Sequence, residues 1–310
     1  MNTASDISVV IVNWNTRTLL ARCLDNLFAD ADSHHVAVQV IVVDNASRDD
    51  SLDMLRTTYP RVTCIDNGTN VGFARANNQA VTLADASLLL LLNSDAAVQP
   101  GALRAIIDYM ARRPSVGIAG LQLLNDDLSL QPSGKRFPTL LSTVISLFPV
   151  PVQWRAAYDR QRNQRDYVET ISVDEVSGAA MVVRRDLWRT LGGFDEHFYF
   201  FGEDVDLCWR AKEAGSTVAY LSTARAIHSW GGARAKIPSI RQGLMSQRAQ
   251  YMLIRTHRPA WQAAALKVFL LLFTAARLTR YLIQRAIRQD ITTATKAHLY
   301  ARELSSLFGI

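Results

Sequence analysis

The sequence predicts an α/β fold: a mostly parallel sheet flanked by helices, with a helical C-terminal extension. Three observations predict it. The first half holds apolar runs that do not alternate, "ISVVIVNW", "VQVIVVDN", "VTCID" and "SLLLLLNSD". Strands of that kind are buried on both faces, as in sheets built from βαβ units. Between the runs lie segments with helical spacing, 17–29, 50–58, 73–85 and 101–112. The last 70 residues read as wholly helical.

Taken in order, each early strand ends in polar residues: Asn13 and Asn15, Asp44 and Asn45, Asn93 and Asp95. Ligands of open parallel sheets bind beyond the carboxyl ends of the strands. The leucine run 88–92 therefore reads as a central strand that carries Asn93-Ser94-Asp95 to the functional edge. Residues 132–170, with four prolines and no clear period, read as a variable insertion. Regular structure returns over 171–235 as a strand, a helical turn, a loop with four aromatics, a helix stopping at Gly215 and the strand "STVAYLS". The expected organisation is one α/β domain over 1–235, its nucleotide half within 1–115, followed by a basic helical tail over 236–310.

Half of the 310 residues are hydrophobic (49%) and a fifth charged, enough for a sizeable core and too little charge for global disorder. The net charge of +6 is concentrated from about residue 225 onward. Nucleic acid is disfavoured as the partner, because that charge lies on an apolar helix without interleaved stacking aromatics. The three cysteines form no CxxC pair and read as small core residues, which fits a reducing cytoplasm. "MNTASDISVVIVNWN" lacks the basic start of a secretory signal. The unbroken apolar stretch Val268–Ala276 is too short to span a bilayer.

Four constellations could carry chemistry. Asn93 and Asp95, two apart on an extended chain, point to one side and are hard ligands suited to Mg2+ or Mn2+; alternatively Asp95 caps a helix near Pro100 or an intervening turn. Glu203, Asp204 and Asp206 crowd a helix start, where acids are ordinary partners of the helix dipole, but the aromatic approach "HFYFFG" could wall a sugar pocket. His228 follows a strand in "AIHSWGG" and is either structural or a further metal ligand. "GTNVGFARANNQA" (68–80) lets Gly72 bring backbone close to a ligand and offers Arg75 to a phosphate. It has neither GxGxxG nor GxxxxGK[ST], which counts against a dinucleotide oxidoreductase and a P-loop kinase.

Seven stretches in order over residues 6–232 together resemble family 2 inverting glycosyltransferases of the GT-A (Rossmann-like) fold, in the bacterial rhamnosyltransferase-like branch. They are "VVIVNWN", "VIVVDNASRDDS", "NVGFARANN", "LLLNSDAAVQPGAL", "SGAAMVVRRDLW", "GGFDEHFYFFGEDVDLCWRAKEAG" and "IHSWGG". The resemblance implies that Val12, Asn13, Asn15 and Asp44 hold the nucleoside, with Asp44 at the base or ribose. It places Arg75, Asn77 and Asn78 by the nucleotide and sugar, and Asn93-Ser94-Asp95 at the DxD-like motif with Asp95 as metal ligand. Glu203-Asp204 matches the pair whose aspartate is the catalytic base. Gly178 and Ala179 would line the donor–acceptor junction, and His228 would complete the metal site. Two positions depart from the pattern: Asn93 stands for the first acid, and Ser94 where relatives often carry proline. The QxxRW motif of processive members is absent, since "SQRAQY" (246–251) is no equivalent, so single-sugar addition is expected.

The resemblance implies a donor such as dTDP-L-rhamnose, or else a UDP-hexose, and a glycan or polyprenyl-diphosphate-linked acceptor. It also gives the tail a purpose. Residues 261–288 mix Trp, Leu, Phe and Ile with Lys267, Arg277, Arg280, Arg285 and Arg288, a basic amphipathic helix suited to an anionic membrane surface. The expected location is the inner face of the plasma membrane, with peripheral attachment. The competing account is a helix hairpin packed on the catalytic domain or in a homodimer. Two rival functions are weighed: a sugar nucleotidyltransferase, whose Gly-rich signature loop is not found in "NWNTRTLL", and a non-catalytic membrane adaptor, which would be free to lose Asp95 and Asp204.

Overall fold

A computed structural model of the chain describes residues 5–147, 167–229, 232, 238–288 and 301. The chain divides into two compact units, residues 1–137 with 157–236, and residues 138–156 with 237–310. The segment read as one insertion is thus shared between them. Its residues 148–166, with most of its arginines, lie outside the described residues, as do 289–300 and 302–310 of the tail.

The first unit begins as the sequence predicts. β1 (Ile7–Asn13), α1 (Arg17–Ser33), β2 (Val38–Asp44), α2 (Ser51–Thr58), β3 (Val62–Asp66), α3 (Phe73–Val81) and β4 (Leu88–Asn93) alternate. β3, β2, β1 and β4 lie side by side, each neighbouring pair parallel. The leucine run shows why the strands carry no alternation. Leu88, Leu90 and Leu92 enter one core with α1 and α2, whereas Leu89 and Leu91 enter a second core with α3 on the opposite face. Burying each such side chain contributes roughly 1.5–3 kcal/mol.

The second half departs from the parallel pattern. β5 (Ala96–Val98), α4 (Ala102–Arg112) and β6 (Val116–Leu124) follow β4, then the short strands β7 (Leu130–Gln131) and β8 (Gly134–Lys135). Beyond the insertion come β9 (Ile171–Ser172), β10 (Glu175–Val176), β11 (Ala180–Arg184), α6 (Arg185–Leu191), α7 (Glu203–Glu213) and β12 (Thr217–His228), numbering α5 (Leu140–Leu147) before them. Among the described residues the main sheet has ten strands, ordered β3-β2-β1-β4-β11-β6-β12-β5, with β7 on β6 and β9 on β12. β11 runs antiparallel to both β4 and β6, while β6 and β12 are parallel, so the sheet is mixed.

That reversal has a purpose in the geometry. An antiparallel strand brings its first residues, not its last, to the edge where its neighbours end. Ala180 opposes Leu92, and the Asn93 N–H donates to the Ala179 carbonyl at 2.9 Å. The start of β11 therefore sits beside the ends of β1, β4 and β12. β6, for which the sequence offered no expected element, is a nine-residue strand buried along nearly its whole length.

The second unit holds α5 with α8 (Ser239–His257) and α9 (Ala260–Arg288). Tyr251 and Ile254 of α8 pack with Ala263, Leu266 and Leu270 of α9, and Leu140 and Val144 of α5 join them. Within this unit α8 and α9 form a helix hairpin. Among the described residues no helix is long and apolar enough to cross a membrane.

Candidate active site

The strand ends gather the predicted polar residues at one edge. Asn13 and Asp44 terminate paired strands, and the Asn13 amide donates to Asp44 Oδ1 at 2.7 Å. Ser47 ties the next layer: its N–H donates to Asp44 Oδ2 at 2.8 Å, and its hydroxyl accepts from the backbone N–H of Asn15 at 2.8 Å. Asp44 and Asn13 are fully shut from solvent. In this conformation they hold the β1 and β2 loops in place. Asn15, in the left-handed region at φ 55°, accepts from Arg48 N–H at 2.7 Å, and Val12 packs partly against the core.

Several other predicted binding residues also have intramolecular partners. Asn77 is buried and donates to the Phe73 carbonyl at 2.9 Å, one turn back along α3. Asn78 clasps the loop after α6, donating to the Phe194 carbonyl at 2.9 Å and accepting from Phe194 N–H at 3.0 Å. Arg75 projects into solvent with its Nε 3.9 Å from Glu196 Oε2. The close approach expected at Gly72 is made by protein: at φ 92° an added Cβ would lie 3.0 Å from the Tyr199 ring. The aromatic loop thus lies against the "NVGFARANN" turn. Ser94 is buried, and its hydroxyl is 2.7 Å from that of Thr16, which itself donates to Asn13 Oδ1 at 2.6 Å.

The alternatives for Asp95 separate here. Helix α4 is capped by Asp30 of α1, which accepts from the N–H groups of Gly101 (2.5 Å) and Leu103 (2.9 Å), so Asp95 is not its cap. Instead β5 pairs with β12, opposing Ala96 to His228. Asp95 Oδ1 lies 3.3 Å from His228 Nε2, and both side chains are 12% exposed. Asp95 Oδ2 accepts from Gly232 N–H at 3.0 Å, and the Asn93 amide nitrogen is 3.5 Å from His228 Nε2.

These residues fit a divalent ion. Two neighbouring octahedral ligands, each about 2.1 Å from a metal, stand roughly 3 Å apart. The other ring nitrogen of His228, Nδ1, is 2.7 Å from Gln131 Oε1. With its proton there, a neutral ring turns an unprotonated Nε2 toward a carboxylate oxygen. Two acceptors so placed are relieved by positive charge between them, a proton or a metal ion. Among the described residues no three His, Cys, Asp or Glu side chains converge.

Asp204 reaches the same edge from the second half. Gly202 enters α7 at φ 92°, preceded by Phe201, a non-glycine residue at φ 73°. Such strain is commonly stored where side-chain placement matters. Asp204 Oδ2 accepts from Gly178 N–H at 2.8 Å, and Oδ1 from Val205 N–H at 2.9 Å. A Cβ on Gly178 would come within 3.2 Å of the Asp204 Cβ, so glycine admits this contact. Burial pushes the Asp204 carboxyl above its ordinary value, and the two N–H donors and Lys135 oppose that rise. Its neighbour Glu203 is buried, with Oε2 lacking a hydrogen-bond partner, and is pushed well up, first by burial and then by Asp204. Asp206 takes no part at the edge. It pairs with Arg210 at 2.7 Å, and that guanidinium also holds the Leu191 and Gly193 carbonyls.

Asp95 and Asp204, 109 positions apart in sequence, are joined by a short backbone path. Asn93 N–H bonds to Ala179, and the adjacent Gly178 N–H bonds to Asp204. Sequence reasoning missed the hairpin 124–131, whose "LNDDLSLQ" looks like an ordinary turn. It brings Gln131 to His228, and Asp126 to Ser229 at 2.7 Å.

A Rossmann-like half, a reversed strand and a carboxylate-bearing helix sharing one edge define a GT-A glycosyltransferase. Residues 4–265 match the model described as Glycosyltransferase like family 2, and the chain belongs to that family. It is 27% identical over 272 residues to the N-acetylglucosaminyl-diphospho-decaprenol L-rhamnosyltransferase of Mycobacterium tuberculosis, covering 83% of this chain and 87% of that one. It is 28% identical to the rhamnosyltransferase WbbL of Escherichia coli K12, covering 72% and 83% of the respective chains. The fold is similar to that of GalNAc-T7, solved with UDP, GalNAc and Mn2+, at a TM-score of 0.61 and 14% identity. That likeness covers 82% of this chain and 48% of the other.

Proposed function

We propose that this glycosyltransferase is inverting and non-processive, and moves L-rhamnose from dTDP-L-rhamnose to a hydroxyl of a glycan or polyprenyl-linked acceptor in cell-envelope polysaccharide synthesis. The observation that carries the reading is the common edge holding both the Asp95–His228 pair and Asp204. Asp204 is the general base. Each of its oxygens accepts one backbone N–H and keeps a lone pair for the acceptor hydroxyl, and its raised pKa makes it the stronger proton acceptor. The acceptor oxygen attacks the anomeric carbon from the face opposite the diphosphate. The new C–O bond forms as the bond to the diphosphate breaks, the hydroxyl proton passes to Asp204, and the nucleoside diphosphate departs.

Asp95 and His228, with Asn93 beside them, would hold Mg2+ or Mn2+, which when bound neutralises charge on the leaving diphosphate. Burial and the neighbouring Asp204 push the Glu203 carboxyl up, which favours its neutral form and eases like charge at this position. Rhamnose is favoured by the two rhamnosyltransferase relatives, and the M. tuberculosis relative's printed name supports a polyprenyl-linked acceptor. A UDP-hexose donor is the second reading, favoured by the UDP bound to GalNAc-T7.

The acceptor class gives the second unit a role at an anionic membrane surface. Trp261, Val268, Leu272, Leu282 and Ile283 of α9 are exposed and share the side opposite Ala263, Leu266 and Leu270, with Lys267 and Arg280 flanking them. Donor choice is tested by incubating the full chain with a panel of nucleotide sugars and Mg2+ or Mn2+. Release of dTDP from dTDP-L-rhamnose above all other donors is the expected result; turnover confined to UDP-hexoses would replace it with the second reading.

A further inference from the structure

We propose that Gln131 is a positioning residue for the cation site: it holds the His228 proton on Nδ1, turns an unprotonated Nε2 toward Asp95, and thereby sets the affinity for a divalent ion. This rests on the reading that Asp95 and His228 bind the ion. The juxtaposition behind it is a one-way hydrogen-bond chain through the hairpin between β6 and β7.

The chain starts at a carboxylate, which accepts only. Ser129 donates its hydroxyl to Asp127 Oδ1 at 2.5 Å and its backbone N–H to the same oxygen at 2.9 Å. With its proton so committed, Ser129 Oγ accepts from the Asn125 amide nitrogen at 2.9 Å. That fixes which way the Asn125 amide faces, and its Oδ1 accepts from Gln131 Nε2 at 2.9 Å. The same Gln131 nitrogen is 3.4 Å from the His228 carbonyl, a second pure acceptor. Gln131 Oε1 is left facing His228 Nδ1 at 2.7 Å, and a carbonyl oxygen at that distance requires a proton on the ring nitrogen. The imidazole then presents Nε2 to Asp95 Oδ1 at 3.3 Å. Asp127 and Ser129 are exposed while Gln131 is buried, so the order runs from solvent inward.

Partners of this kind fix the tautomer and ring orientation of metal-ligating histidines, and removing one typically weakens metal binding by roughly 10–100-fold. A side chain that only filled space would be replaceable by one of similar volume. Gln131→Leu is such a replacement, and Gln131→Glu restores the acceptor alone.

The test uses the full chain and two readouts other than turnover. Nitrogen-15 NMR of the histidine rings in cation-free protein reports the neutral tautomer of His228. Electron paramagnetic resonance titration with MnCl2 alone reports affinity. Wild type should hold the proton on Nδ1. Gln131→Leu should mix the tautomers and weaken Mn2+ about 10–100-fold, and Gln131→Glu should restore both. Asn125→Ala, nearer the solvent end, should shift both readouts the same way by a smaller factor, which keeps the test open if Gln131→Leu folds poorly. Unchanged tautomer or unchanged affinity in Gln131→Leu and Asn125→Ala, with wild-type binding that depends on Asp95 and His228, overturns this proposal alone. Mn2+ affinity indifferent to both Asp95→Ala and His228→Ala overturns the cation-site reading and this proposal with it.

Discussion

Glu203 and Asp204 are adjacent in sequence yet differently supported. Two backbone N–H groups serve Asp204, whereas Glu203 Oε2 has no partner and burial raises its carboxyl well above the ordinary range. In the unfolded chain Glu203 ionises near the usual glutamate value. Its contribution to folding is therefore present in acid and is lost as pH rises toward and through the raised folded value. Glu203→Gln removes that loss. Thermal melts across pH should show the two proteins converging in acid, with wild type falling progressively below the variant as pH rises. Parallel curves would mean that Glu203 is ionised in the fold. At this scale the sequence revealed which residue types gather, because small polar side chains ended each apolar run. It did not reveal their partners. Asn13, Asn77 and Ser94 have intramolecular partners, Asp44, Phe73 and Thr16, that the motif alone does not show. Gln131 carried no signal, since its meaning comes from a histidine 97 positions away.

Elements were legible where period and length agreed. Non-alternating runs gave β1 to β4, because β1, β2 and β4 bury both faces in two separate cores and the edge strand β3 packs against them only in part. β6 escaped notice although it is equally apolar, because "VGIAGLQLL" carries two glycines and ends in a polar turn. Strand direction was not legible at all, as an antiparallel β11 reads like any buried strand. The tail was legible as amphipathic helix, and its two faces differ in packing. Ala263, Leu266 and Leu270 pack in the second unit, while Val268 and Leu272 are exposed at 56% and 68%. The membrane proposal belongs to that exposed face. Val268→Glu with Leu272→Glu should abolish sedimentation with anionic liposomes and leave turnover of a soluble acceptor analogue intact. Retained sedimentation by the double variant would remove α9 from membrane attachment.

Across the whole first unit, the mixed sheet delivers residues from distant segments to one edge. Parallel strands contribute their ends: Asn13, Asp44, Asn93 and His228. The reversed β11 contributes its start, Gly178 and Ala179, which connect Asn93 to Asp204. The family resemblance made this assembly expected, and the topology supplies its physical reason. In the proposed mechanism a cation ligand and a base serve a single reacting bond, and reversing one strand between β4 and β6 places the supports of Asp95 and Asp204 side by side. The most direct test is the Asp204→Asn variant, assayed for sugar transfer and, separately, for Mn2+-dependent binding of the nucleoside diphosphate. Loss of the base should slow transfer by about 10²–10⁴-fold while binding stays near wild type. Transfer at the wild-type rate would contradict the account.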